Sequence, residues 1–305
     1  MGTSFRRHPA ITVKLFKTLI QPILLYASDF WGALKLPKNN PIEALFMKFC
    51  KELLGVQKQT TNIGVLLELG ETPLSLTGTR NAIKNWVRIS KDTTCNELVK
   101  ISYANCITNN LLWSNKIKET LSGIGMLNKF LNKDDNTHIA AFQRLTDIFH
   151  QNTFHEINNE ASKLRTYSLF KTQIGYEKYL SQIENIKHRT ALTKLRLSNH
   201  SLEIEKGRHQ RKNKNMRFCP FCPESIEDEK HFLLQCGTYT TLRYDLISWT
   251  ESQTKNFSKW DPSRKFISLM TTPLYMKKTA SFVFKMFAIR EFLLKKHKKY
   301  GISQL

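Results

Sequence analysis

Four residues with the spacing of metal ligands, Cys219-x2-Cys222-x8-His231-x4-Cys236, limit the folds open to this chain more than any other part of its sequence. Three of the six cysteines in 305 residues lie within these eighteen positions. Two cysteines separated by two residues can face one centre from a tight turn. A histidine and a cysteine five apart can reach the same centre from the next element. The spacing therefore predicts a small knuckle folded around one ion.

Three thiolates and one imidazole favour Zn²⁺ among the common metals. Because the protein supplies all four positions of a tetrahedron, we expect one structural zinc ion and no catalytic water. Such a site carries about one negative charge, which the nearby Arg217 can offset. The alternative is four ordinary residues, with Cys236 in a core and His231 on a helix surface. A redox CxxC is disfavoured, since Pro223 and an acidic loop follow where that motif needs a helix.

Apolar residues recur mostly at helical spacing, and glycine (12) and proline (9) are scarce. Asn40 before Pro41 predicts a helix start, and Thr79 is a second candidate cap. The alternating stretch SLEIEKGR predicts a strand, and MRFCPFC predicts its return strand. The expected fold is therefore mainly α, with helical bundle-like segments and a small β-hairpin and zinc-knuckle insert.

Length predicts about two domains, and changes in pattern along the chain divide it further. We expect a helical region over residues 1–95 and a helical connector over 96–180. A basic zinc-knuckle module follows over 181–245, and a helical tail over 246–305.

The chain carries 47 Lys plus Arg against 25 Asp plus Glu, a net charge of +22. Such a charge favours a polyanionic partner, and nucleic acid is the commonest one in a cell. A basic solvated surface, or a fragment separated from an acidic partner domain, is the alternative. Cys50, Cys95 and Cys106 are scattered, and neither a disulfide framework, a signal peptide nor a membrane span is predicted. The expected location is the nucleus or cytoplasm, with no membrane partner.

The most basic stretch lies directly before the knuckle. From Lys187 to Arg217 there are ten Lys or Arg and two Glu, a net of +8 over 31 residues. Helical spacing places Arg189 and Arg196 on one face and Lys187 and Lys194 on another, so both faces cannot line one groove.

Seven basic residues are candidate contacts to RNA or DNA phosphates, and the last five, in a predicted loop, are favoured. These residues are Arg189, Arg196, Arg208, Arg211, Lys212, Lys214 and Arg217. Phe218 or Phe221 is a candidate base-stacking partner, with packing inside the knuckle as the alternative.

Several segments resemble the C-terminal region of non-LTR (LINE-type) retrotransposon reverse transcriptases. RTALTKLRLSNHSLEIEKGRH with RFCPFCPESIEDEKHFLLQC resembles the zinc-binding segment of that family. QPILLYASDFWG resembles the segment after the polymerase core, and LLELGETPL with RNAIKNWVRI resembles the helices that follow. DPSRKFISLM and FVFKMFAIREF resemble the tail of such elements. The resemblance covers most of the chain in patches and is strongest over residues 188–236.

The resemblance implies a zinc ion at the four ligand positions and a role in gripping template RNA or target DNA, with a retroelement protein or RNA as partner. It does not imply an enzyme, because the aspartate pair of the polymerase is missing and Asp134-Asp135 is predicted to be a solvated turn. The rival hypothesis is a zinc-structured protein-interaction module. It would use the acidic loop 224–229 and the terminal helix.

Overall fold

The computed structural model describes residues 3–34, 40–91, 96–132, 134–159 and 162–300, so Cys95 lies outside the described residues. Helices account for most of these residues, and one two-stranded antiparallel sheet is present among them. The prediction of a mainly α-helical chain with a small hairpin is confirmed.

The α-helices of the described residues are, in chain order, α1 Pro9–Leu15, α2 Gln21–Leu24, α3 Ser28–Trp31, α4 Pro41–Leu54, α5 Asn62–Leu69, α6 Leu74–Ser90, α7 Glu97–Thr108, α8 Leu112–Gly123, α9 Leu127–Asn132, α10 Thr137–Asn158, α11 Tyr179–Gln182, α12 Ile186–Arg196, α13 Glu203–His209, α14 Thr240–Gln253, α15 Pro262–Thr271 and α16 Pro273–Tyr300. The strands are β1 Phe218–Cys219 and β2 Cys222–Ile226.

The chain forms two compact units, each assembled from separate stretches of sequence. The larger unit comprises residues 1–10, 51–69 and 157–305, and the smaller unit comprises 11–50 and 70–156. The four consecutive segments predicted from the sequence, 1–95, 96–180, 181–245 and 246–305, stay a prediction.

The smaller unit is organised around α6. Trp86 is fully buried, stacks on Phe130 with ring centroids 5.0 Å apart, and donates to the Tyr103 hydroxyl at 3.2 Å. Helix α3 packs closely on α6, where a Cβ on Gly32 would lie only 2.1 Å from the Gly78 carbonyl oxygen. The close approach therefore depends on a residue without a side chain at position 32.

In the larger unit α12 packs against α16, and α15 and α14 also contact α16. Leu192, Leu195, Met286 and Val283 are buried along the two main helices. This pairing supports the segments that carry the metal-ligand residues.

Short polar side chains begin several helices, and the start predicted at Asn40 is one of them. Asn40 Oδ1 accepts from Ile42 N–H at 3.0 Å at the start of α4, and Gly55 follows the helix with φ +71°. Asn185 and Asp261 cap α12 and α15 in the same way. These side chains satisfy backbone donors that a helix leaves unpaired at its first turn.

Replacing Asn40 with alanine is expected to lower the free energy of unfolding by about 1 kcal/mol, because one buried helix-start donor loses its acceptor. Urea denaturation measures the change. Asn40→Asp keeps an acceptor oxygen at the same position and should lose much less. An equal loss in the two variants would contradict the capping role.

Two local predictions are wrong. Thr79 does not begin a helix, because α6 starts at Leu74, where the Glu43 carboxylate of another helix accepts the backbone N–H of Leu74 at 3.3 Å. Thr79 lies inside the helix and donates to the Gly32 carbonyl. The stretch SLEIEKGR is not a strand but contains α13. A carboxylate far along the chain, Glu227, accepts from Glu203 N–H at 2.7 Å and takes the place of a local cap.

Candidate metal centre and basic surface

The four predicted ligands come together at the end of the hairpin. Cys219 and Cys222 are opposite each other in the β1–β2 pairing. His231 begins a single wide helical turn, His231–Gln235, and the next residue, Cys236, donates its N–H to the His231 carbonyl at 2.8 Å. The hairpin and the helical turn thus each present two ligands to one point.

The ligand atoms lie within 4.8 Å of one another. Cys236 Sγ is 3.9 Å from Cys219 Sγ and 3.6 Å from Cys222 Sγ. His231 is buried, and its Nε2 has no hydrogen-bond partner within the described residues. A buried, unpartnered nitrogen is costly unless something binds it. The cluster is therefore close enough to hold a metal ion, as the spacing predicted.

The electrostatics of the cluster favour negative charge on one sulfur, that of Cys236. Hydrogen bonding from Cys219 lowers the pKa of Cys236 to about 3, whereas the same hydrogen bond raises the pKa of Cys219 and burial raises the pKa of Cys222. Arg243 contributes the neighbouring positive charge, with Nη2 donating to the Cys236 carbonyl at 2.8 Å and Nε to the Leu233 carbonyl at 3.1 Å. Arg217, expected from the sequence to play this part, instead donates to the carbonyls of Lys212 and Ile204. Arg243 was missed because it lies on a separate helix.

Apolar packing supports the helical turn between the last two ligands. Phe232 and Leu233 are fully buried, and the Phe232 ring lies 4.8 Å from Phe287 of α16 and 5.3 Å from Tyr239. These residues between His231 and Cys236 therefore form a small core that holds the ligand turn against α16.

The acidic loop between the two ligand pairs points into the protein. Glu227 is buried and accepts two hydrogen bonds from Arg290, at 2.7 and 2.6 Å. Glu229 is also buried and accepts from Arg165 and His200, each at 3.0 Å. Burial opposes the charge of Glu229, but His200 and Arg165 lower its pKa to about 2.

These contacts fix the ligand-bearing loop to the helices around it. Asp228 contributes as well, since its Oδ1 accepts from His231 N–H at 2.7 Å. The protein-interaction hypothesis required an exposed acidic surface here, and two of its four carboxylates are unavailable.

Two candidate phosphate contacts are corrected, because the structure buries them. Arg196 is 1% exposed; its Nε donates to Glu68 at 2.8 Å and its Nη2 to Glu177 at 2.8 Å. Arg189 is 4% exposed and donates to the carbonyls of Ile183, at 2.9 Å, and Arg6. A guanidinium with all its donors directed inward has nothing left for a phosphate.

The five loop candidates divide into engaged and available side chains. Arg208 pairs with Glu205 at 3.1 Å, and Arg217 closes the loop through backbone carbonyls. The other three are exposed and form no ion pair within the described residues. They are Arg211, Lys212 and Lys214.

Of the two candidate stacking residues, Phe218 is 40% exposed beside this loop. Phe221 is half-buried, with its ring edge-on to Tyr239 and His297. Only Phe218 therefore presents its ring to solvent as a stacking residue must. Asp134 and Asp135 lie in a turn and pair with Lys129 and Lys91, as expected for a solvated pair.

No protein-family model, curated protein or solved structure matches this chain. Among the described helices, none combines the length and the apolar character that crossing a membrane requires.

Proposed function

We propose that this chain is a non-catalytic nucleic-acid-binding protein, stabilised by one structural zinc ion and derived from the C-terminal region of a non-LTR retrotransposon reverse transcriptase. The observation that carries the proposal is the pairing of a closed Cys₃His cluster with an exposed basic loop. Arg211, Lys212 and Lys214 extend from the segment between α13 and the first metal-ligand strand.

Ligand chemistry and spacing support zinc as the ion. Tetrahedral zinc bonded to sulfur at about 2.3 Å requires sulfur atoms roughly 3.8 Å apart, and the two Sγ separations of 3.6 and 3.9 Å bracket that value. Three thiolates also exclude the hard cations that prefer oxygen. With four protein ligands the ion has no open position, so its role is to hold the hairpin and the helical turn together.

Charge supports nucleic acid as the partner. The net charge of +22 attracts polyanions over long range, and exposed Lys and Arg supply phosphate contacts that carry affinity without sequence information. Arg217 adds rigidity, because it donates both to the carbonyl of Lys212 in the loop and to the carbonyl of Ile204 in α13. The loop therefore presents its free cations from a fixed support.

Neutralising the loop tests this function. The triple variant Arg211→Gln, Lys212→Gln, Lys214→Gln is expected to bind a labelled oligonucleotide roughly tenfold more weakly at low salt, because three phosphate contacts are lost. The slope of log affinity against log salt should fall by about 2 for a single strand. Fluorescence anisotropy over a salt series measures both, and zinc content should not change.

The matched control neutralises three exposed lysines of the smaller unit, Lys48→Gln, Lys84→Gln and Lys118→Gln. It changes the net charge equally and should leave most of the binding intact. If the loop variant and the control variant lost equal affinity, the effect would come from overall net charge and not from the loop. No binding by the unmodified protein would overturn the proposed function.

A further inference from the structure

The larger unit contains a cleft of about 1320 Å³, and the basic loop with Arg211, Lys212 and Lys214 does not line it. Its walls are the N-terminal residues 6–8, the turn before α12, one face of α12, the segment 199–201 and part of α16. This volume exceeds the roughly 300–1000 Å³ of typical small-molecule sites. The cleft therefore fits an extended ligand better than a compact one.

Positive side chains from two separate parts of the chain converge on the cleft. Arg6, Arg7, Lys187 and Lys194 line it, against a single carboxylate, Glu184. Within the described residues, Arg7, Lys187 and Lys194 form no ion pair, and the first two are exposed. Concave surfaces lined by one sign of charge concentrate the field and attract ligands of the opposite sign. The expected ligand is therefore an anion with several charges.

The buried Arg189 explains why these cations meet. Its guanidinium donates to the backbone carbonyls of Arg6 and Arg7, and so ties the N-terminal segment to α12. Arg6 Nη2 in turn donates to Thr190 Oγ1 at 2.5 Å. Lys187 and Lys194 lie on the other face of α12, as helical spacing requires. The arginine face of this helix is thus structural, and its lysine face lines the cleft.

Aromatic side chains that can stack on nucleic-acid bases also line the cleft. Phe284 and Phe287 of α16 are half-buried and line it. His200 lies beside them with a side chain only 1% exposed; its Nε2 bonds to Glu229 Oε1 at 3.0 Å, and its Nδ1 has no hydrogen-bond partner within the described residues. Aromatic rings stack on bases of any sequence, provided that the base faces are free. A single strand has free base faces and a duplex does not.

We propose that this cleft is a binding site for single-stranded nucleic acid. The backbone phosphates lie against Arg7, Lys187 and Lys194, and a base stacks on Phe284. This inference rests on the proposed function and names the site of a strand on the protein, whereas the loop binds the phosphates of single strands and duplexes alike.

The test compares two triple variants, each of which removes three positive charges, and measures the binding of both to two probes. The cleft variant is Arg7→Gln, Lys187→Gln, Lys194→Gln, and the loop variant is the one described above. A labelled oligouridine and a labelled DNA duplex serve as probes in fluorescence anisotropy. The cleft variant is expected to bind oligouridine about tenfold more weakly, with a salt slope lower by about 2, and to bind the duplex normally. Phe284→Leu, which keeps an apolar side chain, should weaken oligouridine binding by roughly fivefold or more.

The outcomes separate the two proposals. Loss of oligouridine binding in the cleft variant, with duplex binding retained, supports the site. Normal oligouridine binding in the cleft variant, with loss in the loop variant, overturns the cleft site and leaves the proposed function standing. If the cleft variant lost equal affinity for oligouridine and for the duplex, the proposed site would also be overturned, because the cleft would then not select single strands. Failure of the unmodified protein to bind either probe would overturn both.

Discussion

Replacing Cys222 with serine is expected to remove the metal ion and to unfold residues 218–240 while the smaller unit keeps its structure. The expectation follows from the size of the local core, which consists of a two-residue strand, a five-residue strand and one helical turn. So little structure buries too little apolar surface to fold alone, and structural zinc contributes about 10–16 kcal/mol of apparent binding energy in comparable small sites. Cys222 is the partly exposed ligand, so the substitution removes little packing.

Metal analysis and hydrogen exchange measure this result together. The unmodified protein should contain about one zinc per chain, and the variant none. Amide protection should fall across residues 218–240, and chelation of the unmodified protein should produce the same pattern. Cys106→Ser is the matched control, since Cys106 is also only partly buried and lies outside the cluster. Unchanged zinc content in Cys222→Ser would rule out the site.

Replacing Arg196 with methionine is expected to lower the free energy of unfolding by about 3–5 kcal/mol, because it leaves the buried carboxylate of Glu68 without its partner. Arg196 also packs its guanidinium over the Phe170 ring at 4.6 Å and donates to the Met270 carbonyl. Its removal therefore affects helices that are distant in sequence. Arg144→Met, at an exposed arginine of α10, should change stability little.

The loss in Arg196→Met should depend on pH. Burial raises the pKa of Glu68 above its ordinary value of 4.5, and Arg196 opposes that rise. The folded state therefore already binds a proton at Glu68 more tightly than the unfolded state does, and without Arg196 the pKa rises further. The stability that such a group contributes is fully present below its pKa in the unfolded state, and it is lost as pH rises through its pKa in the folded state. Urea titrations should therefore show the smallest deficit in acid and a deficit that grows as pH rises above the raised pKa of Glu68 in the unmodified protein. A deficit independent of pH would mean that lost packing, and not the stranded carboxylate, dominates.

The metal-ligand cluster could be predicted from the sequence because its information is local. The spacing from Cys219 to Cys236 fixes which side chains can meet, whatever the surrounding helices do. The helix start at Asn40 was predictable for the same reason, since a cap and its helix are neighbours in the chain.

Contacts between residues distant in the chain determine the burial and the secondary structure that local patterns could not predict. The sequence around Arg196 is helical and highly charged, which predicts a position at the surface. Its buried partner, Glu68, lies 128 residues away in the chain, so the local pattern does not reveal the ion pair. Glu227 caps α13 from 24 residues downstream, which turned a short alternating stretch into a helix. An alternation of only four residues is weak evidence when a remote carboxylate can satisfy the first backbone donors.

The discontinuous make-up of the larger unit has a consequence for synthesis on the ribosome. Arg6 bonds to Thr190 across 184 positions, and residues 51–69 also belong to a unit completed only after residue 157. Most of the smaller unit, by contrast, has left the exit tunnel by then. Domains that finish early in synthesis generally fold first, and contacts between distant positions form late. We therefore expect residues 6–10 of a nascent chain to stay unassembled until α12 emerges, and translational pausing before that helix to prolong their exposure to chaperones and proteases.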